Sequence, residues 1–524
     1  MRPKFFVSMA VLLALSGALT VRYHFLLPVF LLLAAVSLVG VHDVTQTKRA
    51  ILRNYPVVGH LRYLMEKIRP EINQYFIESN TDGMPFNREQ RSVVYQRAKR
   101  QLDTLPFGTQ WDVYAPGYEW IAHSMLAKTA SEEVPRVMIG EETCDQPYSA
   151  ALLNISAMSF GSLSTHAILA LNEGARQGGF AHNTGEGGVS PYHLKNGGDL
   201  IWQIGTGYFG CRAADGGFDA ERFRDTASQS SVRMIEVKLS QGAKPGHGGI
   251  LPAAKLTEEI AAIRGVPMGQ DVLSPPSHSA FRTPTELLNF LQLLRTGSGG
   301  KPVGIKLCVG IHSEFMALCK AMQRTGLHPD FIAVDGGEGG TGAAPLEFSN
   351  SVGSPLDEGL VFVHNCLVGF ALRDKVKIFA SGKIATGFQM ARRMAMGADV
   401  CYSARAMMLA LGCIQARTCN TNHCPVGVAT QEPGLVAGLV VGDKAARVAN
   451  FQQGTVHSFL ELLGAAGLDD RCDLGPQHVM RRLEHGEVRT YLELFPYIET
   501  GALLYDPVPE AYEHAWREAT SAKF

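Results

Sequence analysis

Apolar residues follow two different patterns along this chain. At the start they form two long, uncharged runs, residues 5–21 and 25–41, separated only by Arg22, Tyr23 and His24. Each run is 17 residues long, the short end of what a membrane-spanning helix needs. Arg2 and Lys4 precede the pair, and Lys48, Arg49 and Arg53 follow it. Basic residues at both outer ends favour a hairpin with both ends in the cytoplasm. The first run also resembles the core of a secretory leader, but a second run follows at once and no convincing small-x-small cleavage site stands between them. Residues 1–45 are therefore expected to be a membrane-anchoring hairpin, crossing the bilayer or resting in one leaflet, with membrane lipid as a partner and the rest of the chain in the cytoplasm.

After residue 45 the pattern changes. Residues 46–145 are mixed and aromatic. Helical spacing runs over 63–75 and 88–102, with Pro70 expected to break or kink the first helix, and 106–110 and 114–118 read as turns. This stretch reads as a packing arm without catalytic residues. From residue 150, short apolar runs alternate with helix-like segments and end in Gly, Ser, Asn or Lys. The runs 152–158, 180–183, 201–204, 233–238, 302–308, 330–334, 376–380 and 399–403 make eight strands. That is the count of a (β/α)8 TIM barrel, an α/β fold placed here over 146–434. A doubly wound sheet is disfavoured because no glycine-rich phosphate fingerprint follows the first strand. The gaps 205–232 and 239–301 exceed ordinary strand–helix loops and are expected to carry functional insertions. Residues 435–524 look largely helical and polar, as a C-terminal cap.

Composition changes this picture in three ways. Lys plus Arg and Asp plus Glu nearly cancel, 48 against 49, so no nucleic acid or other polyanionic partner is implied. Glycine is abundant, with 55 residues clustered in Gly-Gly motifs, which suits backbone approach to ligands. The ten cysteines are unevenly spaced, which argues for a reducing compartment rather than a disulfide framework.

Barrel active sites are built where the strands end. Ser159, Asn183, Gln203, Lys238, Lys306, Asp335 and Ser381 stand at those ends. Lys306 either stabilises negative charge on a bound ring or pairs with an acid inside the barrel. Lys238, Lys244 and Arg264 would place two or three cations at one mouth, which suits a dicarboxylate. The loops 183–188 and 335–342 are glycine-rich around a central acid, and in the first of them Glu186 either guides a cation or proton or pairs with a lysine. The segments 377–384 and 397–406 read as the last two strand–loop units, where barrels commonly hold a phosphate. Behind them, Cys413, Cys419 and Cys424 are close enough in sequence to converge on zinc or an iron–sulfur cluster, or are three small core residues.

Taken together, 156–159, 183–188, 235–246, 274–276, 304–307, 339–343 and 413–431 resemble the FMN-binding synthase domain of glutamate synthases, over just more than half the chain. The resemblance implies an oxidoreductase that joins 2-oxoglutarate and ammonia, via 2-iminoglutarate, into L-glutamate, with reduced FMN fed through an iron–sulfur cluster. It implies a 3Fe-4S cluster on Cys413, Cys419 and Cys424. It places Lys238, Lys244 and Arg264 around 2-oxoglutarate, with Glu186, Lys238 and Lys244 catalytic and Glu186 beside the ammonia entry. With the strand-end positions it gives an FMN-binding set of Ala157, Met158, Ser159, Asn183, Gln203, Lys306, Gly339, Gly340, Ser381, Gly382, Lys383, Ala404 and Arg405.

Two departures qualify what the resemblance implies. The hairpin stands where the large enzymes have a glutaminase domain, and Ile250 stands where the family tends to have a substrate-binding glutamine. The chain therefore looks like the stand-alone branch of the family. Ammonia is expected from outside, with a separate glutaminase subunit a further candidate partner, and electrons from ferredoxin or a separate reductase subunit. N-methylglutamate synthesis or another FMN-dependent amine transfer is the alternative reaction, and a non-catalytic, membrane-tethered electron-transfer subunit is the alternative class. No fourth thiolate is expected at the cluster. Cys401 should be core, His423 should point away, and Cys366 is unplaced.

Overall fold

The computed structural model describes residues 2–524 and forms two compact units, one ending at Pro85 and the other running Phe86–Phe524. In the first unit, the helices Arg2–Arg22 and Leu27–Thr45 are joined by the short turn His24–Leu26. Both helical stretches are long and apolar enough to cross a membrane. They touch closely where Gly40 meets Phe5, since a Cβ there would come within 2.0 Å of the ring. Arg2 donates to the Arg53 carbonyl at 2.6 Å, and the buried Asp43 accepts from the Val57 amide at 2.8 Å and pairs with His60 at 2.9 Å. The helix Gly59–Ile72 contains Pro70 without ending there. The missing N–H falls in its last turn, and the chain then widens into the π-turn Asn73–Ile77 instead of breaking.

The second unit is built on eight parallel strands: β1 (Leu153–Ile155), β2 (His182–Asn183), β3 (Leu200–Ile204), β4 (Val232–Lys238), β5 (Val303–Leu307), β6 (Phe331–Asp335), β7 (Lys377–Ser381) and β8 (Val400–Ser403). Each pairs with the next in sequence and β8 pairs with β1, closing the barrel. All eight expected strands are present. They were legible because strands covered on both faces are continuous apolar runs; every residue of β3, β5 and β6 is buried. Aromatic rings fill the interior, with Phe331 stacked on Phe379 at 4.8 Å and Phe379 edge-on to Tyr402 at 5.1 Å. At the opposite end from the site, buried Asp330 accepts from the Val303 amide at 2.7 Å and from Arg295 at 3.0 Å, tying β5 and β6 to the helix Pro284–Gly297.

Outside the barrel, the helix Val441–Ala465 packs on the helix Thr165–Gly178, so closely that a Cβ on Gly174 would lie 2.7 Å from the Ala445 carbonyl oxygen. The C-terminal region is less helical than its composition suggests. Val479–Arg482 and Val488–Thr490 form a three-stranded antiparallel sheet with Glu119–Ile121. These strands hid because they are three or four residues long and carry arginines outward, too brief for a period-two signal.

Candidate active site

The loops leaving the C-terminal strand ends bring the expected cations together. Lys238, the last residue of β4, pairs with Glu186 at 3.0 Å. Lys244 is buried and donates to the Ala343 carbonyl at 2.8 Å. Arg264, at the end of the helix Glu258–Arg264, is buried over the Phe209 ring at 5.1 Å and donates to the Phe160 carbonyl, while its Nε has no partner among the described residues. Glycines admit these groups: a Cβ on Gly187 would meet the Arg264 guanidinium at 2.9 Å, and one on Gly249 would meet Glu186 at 2.4 Å. Burial is the largest influence on the Glu186 carboxyl and raises it. The opposing pull of Lys238, then Lys244 and Arg264, outweighs burial and holds the group below its ordinary range. Burial brings Lys244 down to about 8, opposed by Glu186 and reinforced by Lys238, and brings Arg264 down to about 10 against Glu186. Three cations thus face one carboxylate, leaving an excess of two positive charges in a largely dry pocket.

Beneath this cluster lies a group that was overlooked in the sequence. Glu236 is fully buried inside the barrel and accepts from Asn183 at 2.9 Å, Gln203 at 2.6 Å and Tyr402 at 3.1 Å. Both amides must turn their NH2 groups to this carboxyl. Asn183 Oδ1 takes the Gly185 amide at 3.0 Å, which fixes the orientation of that side-chain amide. The signal was available: Glu236 is two residues before Lys238, and strand alternation puts both on one face. Lys306 pairs with Asp335 at 3.5 Å, and Asp335 also accepts from the Gly242 amide, so this lysine carries a partner inside the barrel.

The remaining cofactor candidates also stand at the strand ends. Met158 donates its amide to the Asn183 carbonyl, placing Ala157, Met158 and Ser159 beside the 183–188 loop, where a Cβ on Gly185 would lie 2.9 Å from the Ser159 nitrogen. Ser381 is buried at the end of β7, followed by Gly382 and by Lys383 in the left-handed region at φ 48°. Ser403 clasps this loop by donating to the Ile384 carbonyl at 2.7 Å, leading into Ala404 and Arg405. Arg405 donates to the Glu338 carbonyl at 2.6 Å and rests on the loop of Gly339 and Gly340, where a Cβ on Gly340 would strike it at 2.5 Å. Lys383 and Arg405 are both lowered, by burial first; the Lys383 ammonium is further depressed by Arg405. Two crowded cations with this hydroxyl and glycine backbone fit a phosphate.

Cys413, Cys419 and Cys424 sit in one loop, the first two half-buried and the third buried. Among the described residues no three side chains converge closely enough to hold a single metal ion. A cluster of several irons needs its thiolates further apart than one ion does. Cys413 is pushed up to about 11 by burial and, against help from the Gln415 amide, by Cys419 and Cys424, a mutual repulsion that iron would reverse. Gln415, Arg417 and Asn422 all adopt left-handed backbone at φ 58°, 56° and 66°, a density of strain that marks functional loops. The loop is held by Tyr95, which donates to the Cys413 carbonyl at 2.7 Å, and by Asn422 donating to the Ala254 carbonyl at 2.9 Å. His423 is exposed. Cys366 is buried beside Cys319 between outer helices. Cys401 is buried, as expected of a core residue. Tyr402 points into the barrel, so Cys401 faces outward toward Arg393. Lys255, also overlooked, is buried against the cysteine loop, donating to the Ser162 carbonyl and to the Cys419 carbonyl at 3.3 Å; burial brings it down to about 8, opposed by Cys419 and Cys424.

Residues 120–469 match the model described as the conserved region in glutamate synthase. The glutamate synthase large subunit-like protein YerD of Bacillus subtilis is 39% identical over 86% of this chain and 93% of its own length. The archaeal-type glutamate synthase (NADPH) of Thermotoga neapolitana is 35% identical over 60% of this chain and 59% of its own length. Ferredoxin-dependent glutamate synthase 2 of Synechocystis is 37% identical over 46% of this chain and 15% of its own length.

Proposed function

The chain belongs to the glutamate synthase family, an oxidoreductase family, and from that premise we propose that it forms L-glutamate from 2-oxoglutarate and ammonia by way of 2-iminoglutarate. The observation that carries this reading is the excess of two positive charges formed by Lys238, Lys244 and Arg264 around Glu186, which matches a dianionic keto acid. FMN on the strand-end and 381–405 residues would supply hydride, and an iron–sulfur cluster on Cys413, Cys419 and Cys424 would supply electrons singly.

The chain's own groups do the rest. Lys244 and Arg264 bind the two carboxylates, and burial strengthens each contact. Glu186 Oε2 is held by Lys238, which leaves Oε1 to take the proton from ammonium as its nitrogen attacks the keto carbon. The Lys238 ammonium stabilises negative charge developing on the keto oxygen; Glu186 returns its proton to that oxygen, and a second proton from the added nitrogen lets it depart as water. The imine carbon then takes the hydride that bound FMN would supply, and the imine nitrogen takes a proton, giving the amino acid. Ferredoxin or a separate reductase subunit is the proposed electron source, and a separate glutaminase subunit a proposed ammonia source. The two apolar helices, with Leu15, Leu31, Leu32 and Leu38 exposed, are the proposed membrane anchor, with the barrel in the cytoplasm.

A second reading rests on Ile250. It stands where the family tends to have a substrate-binding glutamine and follows Gly249, which packs on Glu186, and methylamine is the alternative nucleophile. Anaerobically purified protein should contain FMN and iron. Given reduced ferredoxin and 2-oxoglutarate, it should yield glutamate with ammonium. N-methylglutamate formed with methylamine, without glutamate from ammonium, would select the second reading. Protein without flavin would defeat both.

A further inference from the structure

Lys255 is a buried cation that the mechanism leaves unused. Its side chain is 2% exposed, and its Nζ donates to the carbonyls of Ser162 and Cys419. Among the described residues no aspartate or glutamate forms an ion pair with it. A buried ammonium held only by neutral carbonyls is costly unless an anion lies nearby. The groups within electrostatic reach that become anionic on ligating iron are Cys419, whose carbonyl Lys255 holds, and Cys424. Lys301 provides an internal contrast: it too is buried and seated on two carbonyls, of Ala227 and Gln229, but the charged group that bears on it is Arg233 and no thiol does.

The segment around Lys255 is anchored from both sides. Next to it, the Ala254 carbonyl accepts from Asn422 of the cysteine loop, and the helix Glu258–Arg264 ends in the substrate cation Arg264. Lys255 and Arg264 hold carbonyls only two residues apart, Ser162 and Phe160. Gln431 fastens the same stretch by donating to the Gly161 and Leu163 carbonyls at 3.0 Å. The ammonium is therefore fixed in position, not free to swing away.

We propose that Lys255 is the built-in counter-cation of the iron–sulfur cluster and sets its reduction potential; this rests on the reading that Cys413, Cys419 and Cys424 hold such a cluster. A fixed positive charge stabilises the more negative, reduced state, so it raises the potential, and net charge and solvent exposure are main determinants of where such potentials fall. Burial keeps water from screening the effect.

The test is a potentiometric titration of the anaerobic full-length holoprotein, followed by the cluster's paramagnetic signal. Lys255→Met should lower the midpoint potential, weakening the reduction equilibrium by about tenfold, which is 59 mV for one electron. Lys255→Arg should stay near wild type, and Lys301→Met should leave the potential unchanged. Loss of the cluster in Lys255→Met with retention in Lys255→Arg also supports the charge. An unchanged potential in Lys255→Met overturns the proposal. So does loss of the cluster in both Lys255 variants, which would make the residue a packing element. A wild-type protein with no iron–sulfur signal overturns the cofactor reading and this proposal with it.

Discussion

Burial brings the Lys244 ammonium down to about 8, with Glu186 resisting and Lys238 assisting. A lysine so lowered is charged below that pH and neutral above it, and a dianion needs it charged. The ratio kcat/KM for 2-oxoglutarate should therefore fall as pH rises through about 8, approaching tenfold per pH unit, because this ratio reports the free enzyme. Arg264, brought down only to about 10, stays charged across that range. Lys244→Met should abolish the limb and raise KM by about 10- to 100-fold, the worth of one hydrogen bond to a charged group. A profile flat from pH 7 to 9.5 in wild type would contradict the assignment. Glu186→Gln separates binding from proton transfer: kcat should drop about 100-fold or more while 2-oxoglutarate still binds. Equal losses in kcat and substrate affinity would make Glu186 a structural partner of Lys238. At this scale much of the site was legible, because lysines in glycine-rich, uncharged loops have few structural reasons to be there. Glu236 was missed although alternation placed it. Lys255 was not legible, because its meaning lies in a contact with Cys419, 164 positions away.

The barrel strands were readable as elements because a strand buried on both faces has no polar alternation to dilute its apolar run. Elements stabilised by distant partners were not readable. Glu119–Ile121 becomes a strand only by pairing with Val479–Arg482, and Pro70 is tolerated only because the following turn can widen. The Asp330–Arg295 clamp shows the same dependence. The carboxylate is 2% exposed, takes the Val303 amide and Arg295, and also accepts from the Thr143 hydroxyl. Asp330→Ala leaves a buried guanidinium without its anion and should destabilise the barrel by about 3–5 kcal/mol, as breaking a buried pair by removing one partner does. Denaturant unfolding of the variant checks this. A loss below about 1 kcal/mol would mean that water reaches Arg295 in the folded state.

On the scale of the whole chain, the two units have different characters: a pair of apolar helices tied off by Asp43, Arg2 and His60, and a barrel whose mouth gathers cations, glycine loops and three cysteines. If the hairpin is the anchor proposed, deleting residues 2–45 should move the protein from the membrane fraction to the soluble fraction with its flavin retained. Recovery of the full-length protein in the soluble fraction without detergent would exclude that role. The central claim is that the cationic mouth turns a keto diacid and ammonia into an amino acid at a flavin. It is tested most directly by reducing the FMN-loaded protein anaerobically and mixing it with 2-oxoglutarate and ammonium in a stopped-flow spectrometer. Oxidised flavin absorbance should return only when both are present, with one glutamate formed per flavin reoxidised, and Lys244→Met should need about 10- to 100-fold more 2-oxoglutarate for the same response at neutral pH. Flavin that stays reduced with both substrates present, or reoxidises without forming glutamate, would contradict it.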